Sequence, residues 1–386
     1  MRFRDALSTP GLAAIAEVKR RSPSAGDLRP DADPGQLAAE FERAGAAAVS
    51  VLVDERFGGS LDDLRAARVA TTLPLLGKGF FTNEHELLAL CDAGADAALI
   101  ILRNLDDDRA RALMAYAADL GVDTLVEAHD ERELLRAIAL GADPIGINAR
   151  NLDTFVVDLK AALMFFANAP RDRVLVAESG IESRVDAARA ELVGADAILV
   201  GSTLMRAADP AAKLGELIRR PLVKVCGLTR QEDVDVAADA GADFAGFILA
   251  EESPRRAERV LDVPKSMMSV AVFVGERRAA EADLFQIYGR EDGHRSRHAT
   301  LFLPGHPEYV GTVVDLPWQQ EDPLHFERAA MVEGRVMLAG GLSPENVQDA
   351  IRAVQPWAVD ASSSLETAPG VKDHERIRAF VDAARC

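Results

Sequence analysis

Apolar residues come along this chain in short unbroken runs, each introduced by a small-residue turn. The runs are AGAAAVSVLV from Ala44, AGADAALIIL from Ala93, LGADPIGIN from Leu140, VGADAILVG from Val193 and AGADFAGFIL from Ala240. Their glycines, Gly45, Gly94, Gly141, Gly194 and Gly241, recur every 47 to 53 residues, about two strand–helix units at a time. A glycine just past a helix supplies the left-handed residue that ends it. The Val/Ile/Leu run that follows reads as a strand buried on both faces, as in a parallel sheet. Between these runs, stretches such as NEHELLALCDAG and DERELLRAIALG carry apolar residues at helical spacing.

Eight strands are predicted in the first half, near 13–18, 49–53, 73–77, 97–102, 122–126, 145–148, 173–177 and 197–201. Eight alternating strand–helix units point to a TIM barrel over an open doubly wound sheet. The pattern restarts at VKVCGLT (223–229), with further strands near 244–249, 269–274, 284–288, 312–315, 335–339 and 357–361. The expected α/β organisation is therefore two consecutive (βα)8 barrels: 1–212, a linker at 213–222, and 223–386. The second half is short for a barrel. From Glu276 to Val310 it turns polar, so at least one unit there is expected to be trimmed or distorted.

Composition narrows the function. The 386 residues carry a net charge of −18, which argues against nucleic acid or an anionic membrane as a partner. Small anionic substrates remain open, because backbone amides and a few local cations can hold a phosphate. Cys91, Cys226 and Cys386 are too few and too scattered for a disulfide framework or a zinc site. Without a signal-peptide core or a long apolar run, a cytoplasmic location is expected. Arginine supplies most of the positive charge; only seven of the 44 basic residues are lysines. A lysine where arginine would serve as well therefore draws attention.

In a TIM barrel the chemistry sits where the strands end. The first half places Glu17 and Lys19, Lys78, Glu127, Asn148 with Arg150, Glu178 with Ser179 and Gly180, and Gly201 with Ser202 at such ends. Singly, each has a bland reading: a solvated lysine, a capping carboxylate, an ordinary turn. Together, two of the scarce lysines converge with three carboxylates on one mouth, and lysine–glutamate neighbours shift each other toward acid–base work. ESGI and VGST put free amides just ahead of helices, the expected phosphate cradle after strands seven and eight.

These residues resemble a known family. IAEVKRRSPSAG (15–26), GSLDDLRA (59–66), LLGKGFF (75–81), TLVEAH (124–129), IGINARNL (145–152), VAESGI (176–181) and AILVGSTLM (197–205) look like indole-3-glycerol phosphate synthase. The resemblance implies a TIM barrel without metal or cofactor. It implies closure of the indole ring of 1-(2-carboxyphenylamino)-1-deoxyribulose 5-phosphate, with loss of carbon dioxide and water. By motif, Lys78 resembles the general acid at the ketone, Glu127 the carboxylate handling protons in dehydration, and Lys19 the partner of the substrate carboxylate. Glu17 and Glu178 would orient these cations, with Asn148 and Arg150 as polar positioners. Ser22, Ser179, Gly180, Gly201 and Ser202 would hold phosphate. Three features depart from the family: fourteen residues precede Ile15, Gly79 replaces an aspartate, and Ala149 replaces an asparagine.

The second half resembles phosphoribosylanthranilate isomerase through VKVCGLTRQEDV (223–234), GADFAGFIL (241–249), SPRR (253–256), VAVFVGE (270–276), AGGLSPENV (339–347) and VDASSSLETAPGVKD (359–373). This implies an Amadori isomerisation with Cys226 as general base and Asp315 as general acid. Arg255 would bind substrate, amides at Gly340, Gly341, Ser362 and Ser363 would hold phosphate, and Lys224 would lend structural support. The glycine-rich loop expected after the aspartate is replaced by LPWQQEDPLHF. Two readings follow: a bifunctional enzyme of tryptophan biosynthesis, or a monofunctional synthase with a non-catalytic phosphate-binding or structural C-terminal module. Small phosphosugar–anthranilate compounds are the expected partners, on a monomer or weak homo-oligomer.

Overall fold

The computed structural model describes residues 2–22, 26–150, 156–291, 294–306, 308–316, 320 and 322–386. Two compact units divide the chain, Met1–Ile218 and Arg219–Cys386. The stretch 213–222, expected as a linker, instead holds the end of a helix, Pro210–Ile218, and the first residue of a strand, Leu222–Cys226.

Unit one is a closed, all-parallel barrel. Its strands are β1 (Ala13–Val18), β2 (Ala48–Leu52), β3 (Leu75–Lys78), β4 (Ala97–Ile101), β5 (Asp123–Ala128), β6 (Ile145–Asn148), β7 (Leu175–Glu178) and β8 (Ala197–Val200). Each lies within two residues of its sequence-based expectation. The side-chain period of two explains the strand composition. On β1, Ala14, Ala16 and Val18 face the outer helices, while Ala13 and Ile15 face the barrel axis with Leu76, Leu99, Leu125, Val176 and Leu199. Phe3 and Leu7, on helix Phe3–Leu7, join that inner cluster. One step of two further along, the inward positions become Glu17, Lys78, Glu127 and Glu178. An apolar floor thus carries a polar ceiling at the C-terminal ends of the strands.

Unit two is also closed, but its sheet is mixed. Its strands are β9 (Leu222–Cys226), β10 (Phe244–Ile248), β11 (Met268–Val274), β12 (Leu284–Glu291), β13 (His294–Phe302), β14 (Tyr309–Val314), β15 (Val336–Leu338) and β16 (Ala358–Ala361). β13 runs antiparallel to both neighbours. A meander of three strands therefore does the work of strand–helix units, which is how so short a half still closes. The distortion falls in the polar stretch where it was expected, but no strand was lost: β13 was unforeseen. Among the described residues no helix lies between β10 and β14. Loop residues Leu249, Val260, Ala280 and Ala282 cover Ala271, Phe273 and Phe285 instead.

Candidate active site

In unit one, Lys78 ends β3 at the centre of three strand-end carboxylates. Its Nζ lies 2.8 Å from Glu178 Oε2, 3.3 Å from Glu17 Oε2 and 4.0 Å from Glu127 Oε2. Lys19 Nζ lies 2.6 Å from Glu17 Oε1. Asn148 Oδ1 accepts the Arg150 backbone amide at 3.0 Å. All of these but Glu178, which lies behind Lys78, line one cavity with Ser179, Gly180, Gly201, Ser202, Arg206, Phe57 and Phe80. Ser22 is buried on the small hairpin after β1, apart from the cavity lining.

The carboxylates are not equivalent. Burial works against the Lys78 ammonium, but Glu178, Glu17 and Glu127 outweigh it and hold the amine protonated far above its ordinary range. Burial raises Glu17 too, yet Lys19 and Lys78 bring it below the usual carboxylate range. Burial pushes Glu178 up; Lys78 offsets this only in part and the Glu127 charge adds to it, leaving Glu178 at about 8. Glu127, equally buried, is drawn down to about 2 by His129 and Lys78. The two neighbouring carboxyls are thus pushed in opposite directions, Glu178 toward its neutral form and Glu127 toward its charged one. Glu127 Oε2 and Glu178 Oε1 are both buried, and neither has a hydrogen-bond partner among the described residues. Two environments that drive neighbouring carboxyls apart provide an acid and a base in one site.

The end of β7 turns through two consecutive left-handed residues, Ser179 (φ 66°) and Gly180 (φ 78°). Left-handed backbone is costly at serine, and here it bends the chain around the mouth. After β8, Gly201 (φ −123°, ψ −71°) opens a short helix. Thr203 Oγ1 ties the two turns together by donating to the Ile181 carbonyl at 2.7 Å. Unit two repeats this construction. Gly340 (φ 88°) and Gly341 (φ 71°) follow β15, Ser362 (φ −133°, ψ −81°) follows β16, and the Ser364 hydroxyl donates to the Leu342 carbonyl. Both pairs of turns, with Gly180, Gly201 and Ser202 in unit one and Gly340, Gly341, Ser362 and Ser363 in unit two, follow the seventh and eighth strands.

In unit two, Cys226 ends β9 and is buried. Burial pushes its thiol up, and Lys224 only partly counters this. Lys224 is fully enclosed, donating to Asp360 at 2.7 Å and Gln286 at 2.8 Å, as suits a support. Gln286 Nε2 donates to the Tyr288 hydroxyl at 2.8 Å, which donates to Asp315 Oδ2 at 2.7 Å. Arg295, from β13, pairs with the same oxygen at 2.9 Å and stacks over the Tyr288 ring. Asp315 thus joins the interior network that reaches Cys226 through Lys224. Arg255, expected to bind substrate, directs its Nε at Glu366, 2.8 Å away, where the buried Lys372 also binds at 2.8 Å.

His129, Arg206, Tyr288, Arg295, Glu366 and Lys372 were not singled out from the sequence. Lys372 could have been, as one of the few lysines and part of the VKD motif. Tyr288 and Arg295 gain their role only through the antiparallel pairing of β12 with β13.

A closed barrel with its titratable groups and amide turns at the C-terminal ends of the strands defines a TIM-barrel enzyme, here twice in one chain. The family model described as indole-3-glycerol phosphate synthase matches residues 1–217. That described as N-(5'phosphoribosyl)anthranilate isomerase matches 318–383. The chain is 33% identical to the tryptophan biosynthesis protein TrpCF of Yersinia pestis, over 99% of this chain and 87% of that one. It is 32% identical to a multifunctional tryptophan biosynthesis protein of Phycomyces blakesleeanus, over 98% of this chain, but spans only 63% of that protein's length. It is 49% identical to an indole-3-glycerol phosphate synthase of a Nocardioides species, over 52% of this chain and 77% of that one. The chain belongs to the bifunctional indole-3-glycerol phosphate synthase–phosphoribosylanthranilate isomerase family. Among the described residues no helix is long and apolar enough to cross a membrane.

Proposed function

We propose that unit two isomerises N-(5-phosphoribosyl)anthranilate and that unit one converts the product, 1-(2-carboxyphenylamino)-1-deoxyribulose 5-phosphate, into indole-3-glycerol phosphate. The observation that carries this reading is Lys78 at the focus of Glu17, Glu127 and Glu178 beneath an amide cradle. With the phosphate held at Gly180, Gly201 and Ser202, the ketone oxygen meets the Lys78 ammonium. Carbon–carbon bond formation turns that oxygen into an alkoxide, a stronger base than the amine, which takes a proton from Nζ. Glu178, 2.8 Å away, carries the proton that restores it. Lys19 faces the aryl carboxylate until it leaves as carbon dioxide and the ring regains its electron pair. The hydroxyl then takes a proton from the restored Lys78 ammonium and leaves as water, while Glu127 takes a proton from the neighbouring carbon. Oriented groups in a closed site suit such a sequence.

In unit two, Asp315 serves the opening of the sugar ring as acid, with Tyr288 and Arg295 fixing its carboxyl. Cys226 takes the proton from the carbon next to the imine. The test is to supply each substrate separately to purified protein and follow its consumption. Both are expected to turn over. If only the deoxyribulose phosphate does, unit two is a structural module; if neither does, the reading fails.

Gly146 gives a sharper check on Glu178. A Cβ there would lie 2.1 Å from Glu178 Oε1, so Gly146→Ala must displace the carboxyl. The obstructed atom is a side-chain tip and Gly146 is not in the left-handed region, so the backbone can stay. Ring closure is expected to fall about 10²-fold, as for misplacements of about 1 Å, with an unchanged melting temperature. Unchanged turnover would show that the Glu178 position is not used.

A further inference from the structure

His129 follows β5 directly, two residues beyond Glu127. Its ring is 1% exposed and does not line the cavity. Nε2 lies 3.1 Å from Glu127 Oε1, off the line of a good hydrogen bond, and Nδ1 lies 3.1 Å from Glu133 Oε2. Glu133 is itself fixed. Its Oε2 accepts the His129 backbone amide at 2.9 Å, its Oε1 faces Arg103 Nε at 3.4 Å, and its own amide donates to Asp130 at 2.8 Å. Each ring nitrogen therefore faces a carboxylate. A neutral imidazole has one bare nitrogen and would set its lone pair against one of them; only the imidazolium turns an N–H and a positive charge toward both.

We infer that His129, clamped between Glu127 and Glu133, is the positioning residue that keeps Glu127 ionised and so confines the proton of the Glu127–Glu178 pair to Glu178. The inference deepens the proposed ring closure, in which Glu127 is a base, and rests on that reading for its kinetic consequence. His129 touches no substrate atom; it acts through Glu127. Burial opposes its charge, but Glu127 and Glu133 outweigh this and lift it to about 9. The groups that set this balance are Glu127 on β5, Glu133 on the following helix and Arg103 behind Glu133. Lys78 and Glu178 bear on it from the cavity side of Glu127. Removing the imidazolium takes away a cation that draws Glu127 down, so Glu127 then holds its proton to higher pH. A base must lose its proton to work, and the acidic limb of kcat/KM for ring closure then moves upward.

Two measurements test this. In the ¹⁵N spectrum of histidine-labelled protein, the His129 signal, assigned by its loss in His129→Gln, is expected to show both nitrogens protonated at pH 7.5. A neutral tautomer at that pH overturns the inference, whether or not the protein turns over. In kinetics, His129→Gln is expected to raise the acidic limb by at least about one pH unit, so that kcat falls on that limb and not at neutral pH, with KM nearly unchanged. A uniform loss at every pH, or no loss, overturns it. Glu133→Gln keeps the ring in place but removes one of its two anions; the limb is expected to move the same way by a smaller amount, and an unmoved limb counts against the inference. A parent protein that fails to close the ring defeats the functional proposal, while the spectrum still decides the charge on His129.

Discussion

Lys78→Met is expected to lower ring closure by about 10³-fold or more while leaving isomerisation at the parental rate. Acid catalysis at one oxygen and electrostatic stabilisation of the same developing charge together account for such a loss. The fold is expected to survive, because removing Lys78 does not strand three buried anions. Glu17 keeps Lys19 at 2.6 Å, Glu127 keeps His129, and burial together with the Glu127 charge pushes Glu178 toward its neutral form. Methionine fills the stem of the lysine at similar volume. Matched melting curves and substrate assays on both variants check this. Turnover within tenfold of the parent would remove Lys78 from the mechanism.

Cys226→Ser is expected to abolish isomerisation, by about 10²-fold or more, and to leave ring closure untouched. A serine hydroxyl is a far weaker acid than a thiol and gives up its proton less readily in this enclosed place. The parent isomerase rate is expected to climb as pH rises into the alkaline range, because burial pushes the Cys226 thiol up and Lys224 recovers only part of that shift. The general base is its thiolate, so the active fraction grows as the proton leaves. A pH–rate profile of isomerisation that falls toward alkaline pH, or a serine variant that keeps its rate, would show that Cys226 is merely a small buried side chain.

Unit one was legible almost to the residue because its strands are buried on both faces. Runs such as AALII and AILV have no polar alternation to blur their ends, and glycines such as Gly94 and Gly194 mark where the preceding helices stop. Lys78 was legible for the same reason: it closes an apolar run at the in-facing register of β3 and so reaches the cavity. β13 was not. HRSRHATLF alternates poorly and carries four basic or titratable residues ahead of its apolar end. Its strand character comes from pairing with β12 and β14, which no local pattern states. His129 was hidden differently. It stood inside a recognised motif, but its charge depends on Glu133, one turn into the next helix, which only the folded chain brings against the ring.

The stretch 213–222 is part helix and part strand. The helix Pro210–Ile218 buries Leu214 and Leu217 against the first barrel core, so the chain is packed almost up to the next strand.

The central claim is that two barrels of one chain carry two successive reactions. The most direct measurement is to give purified protein N-(5-phosphoribosyl)anthranilate alone and follow indole-3-glycerol phosphate. The parent is expected to form it with no other enzyme. Cys226→Ser is expected to stop at the starting compound, and Lys78→Met to accumulate the deoxyribulose phosphate. Failure of the parent to form indole-3-glycerol phosphate, or its formation by either variant at the parental rate, would contradict the account.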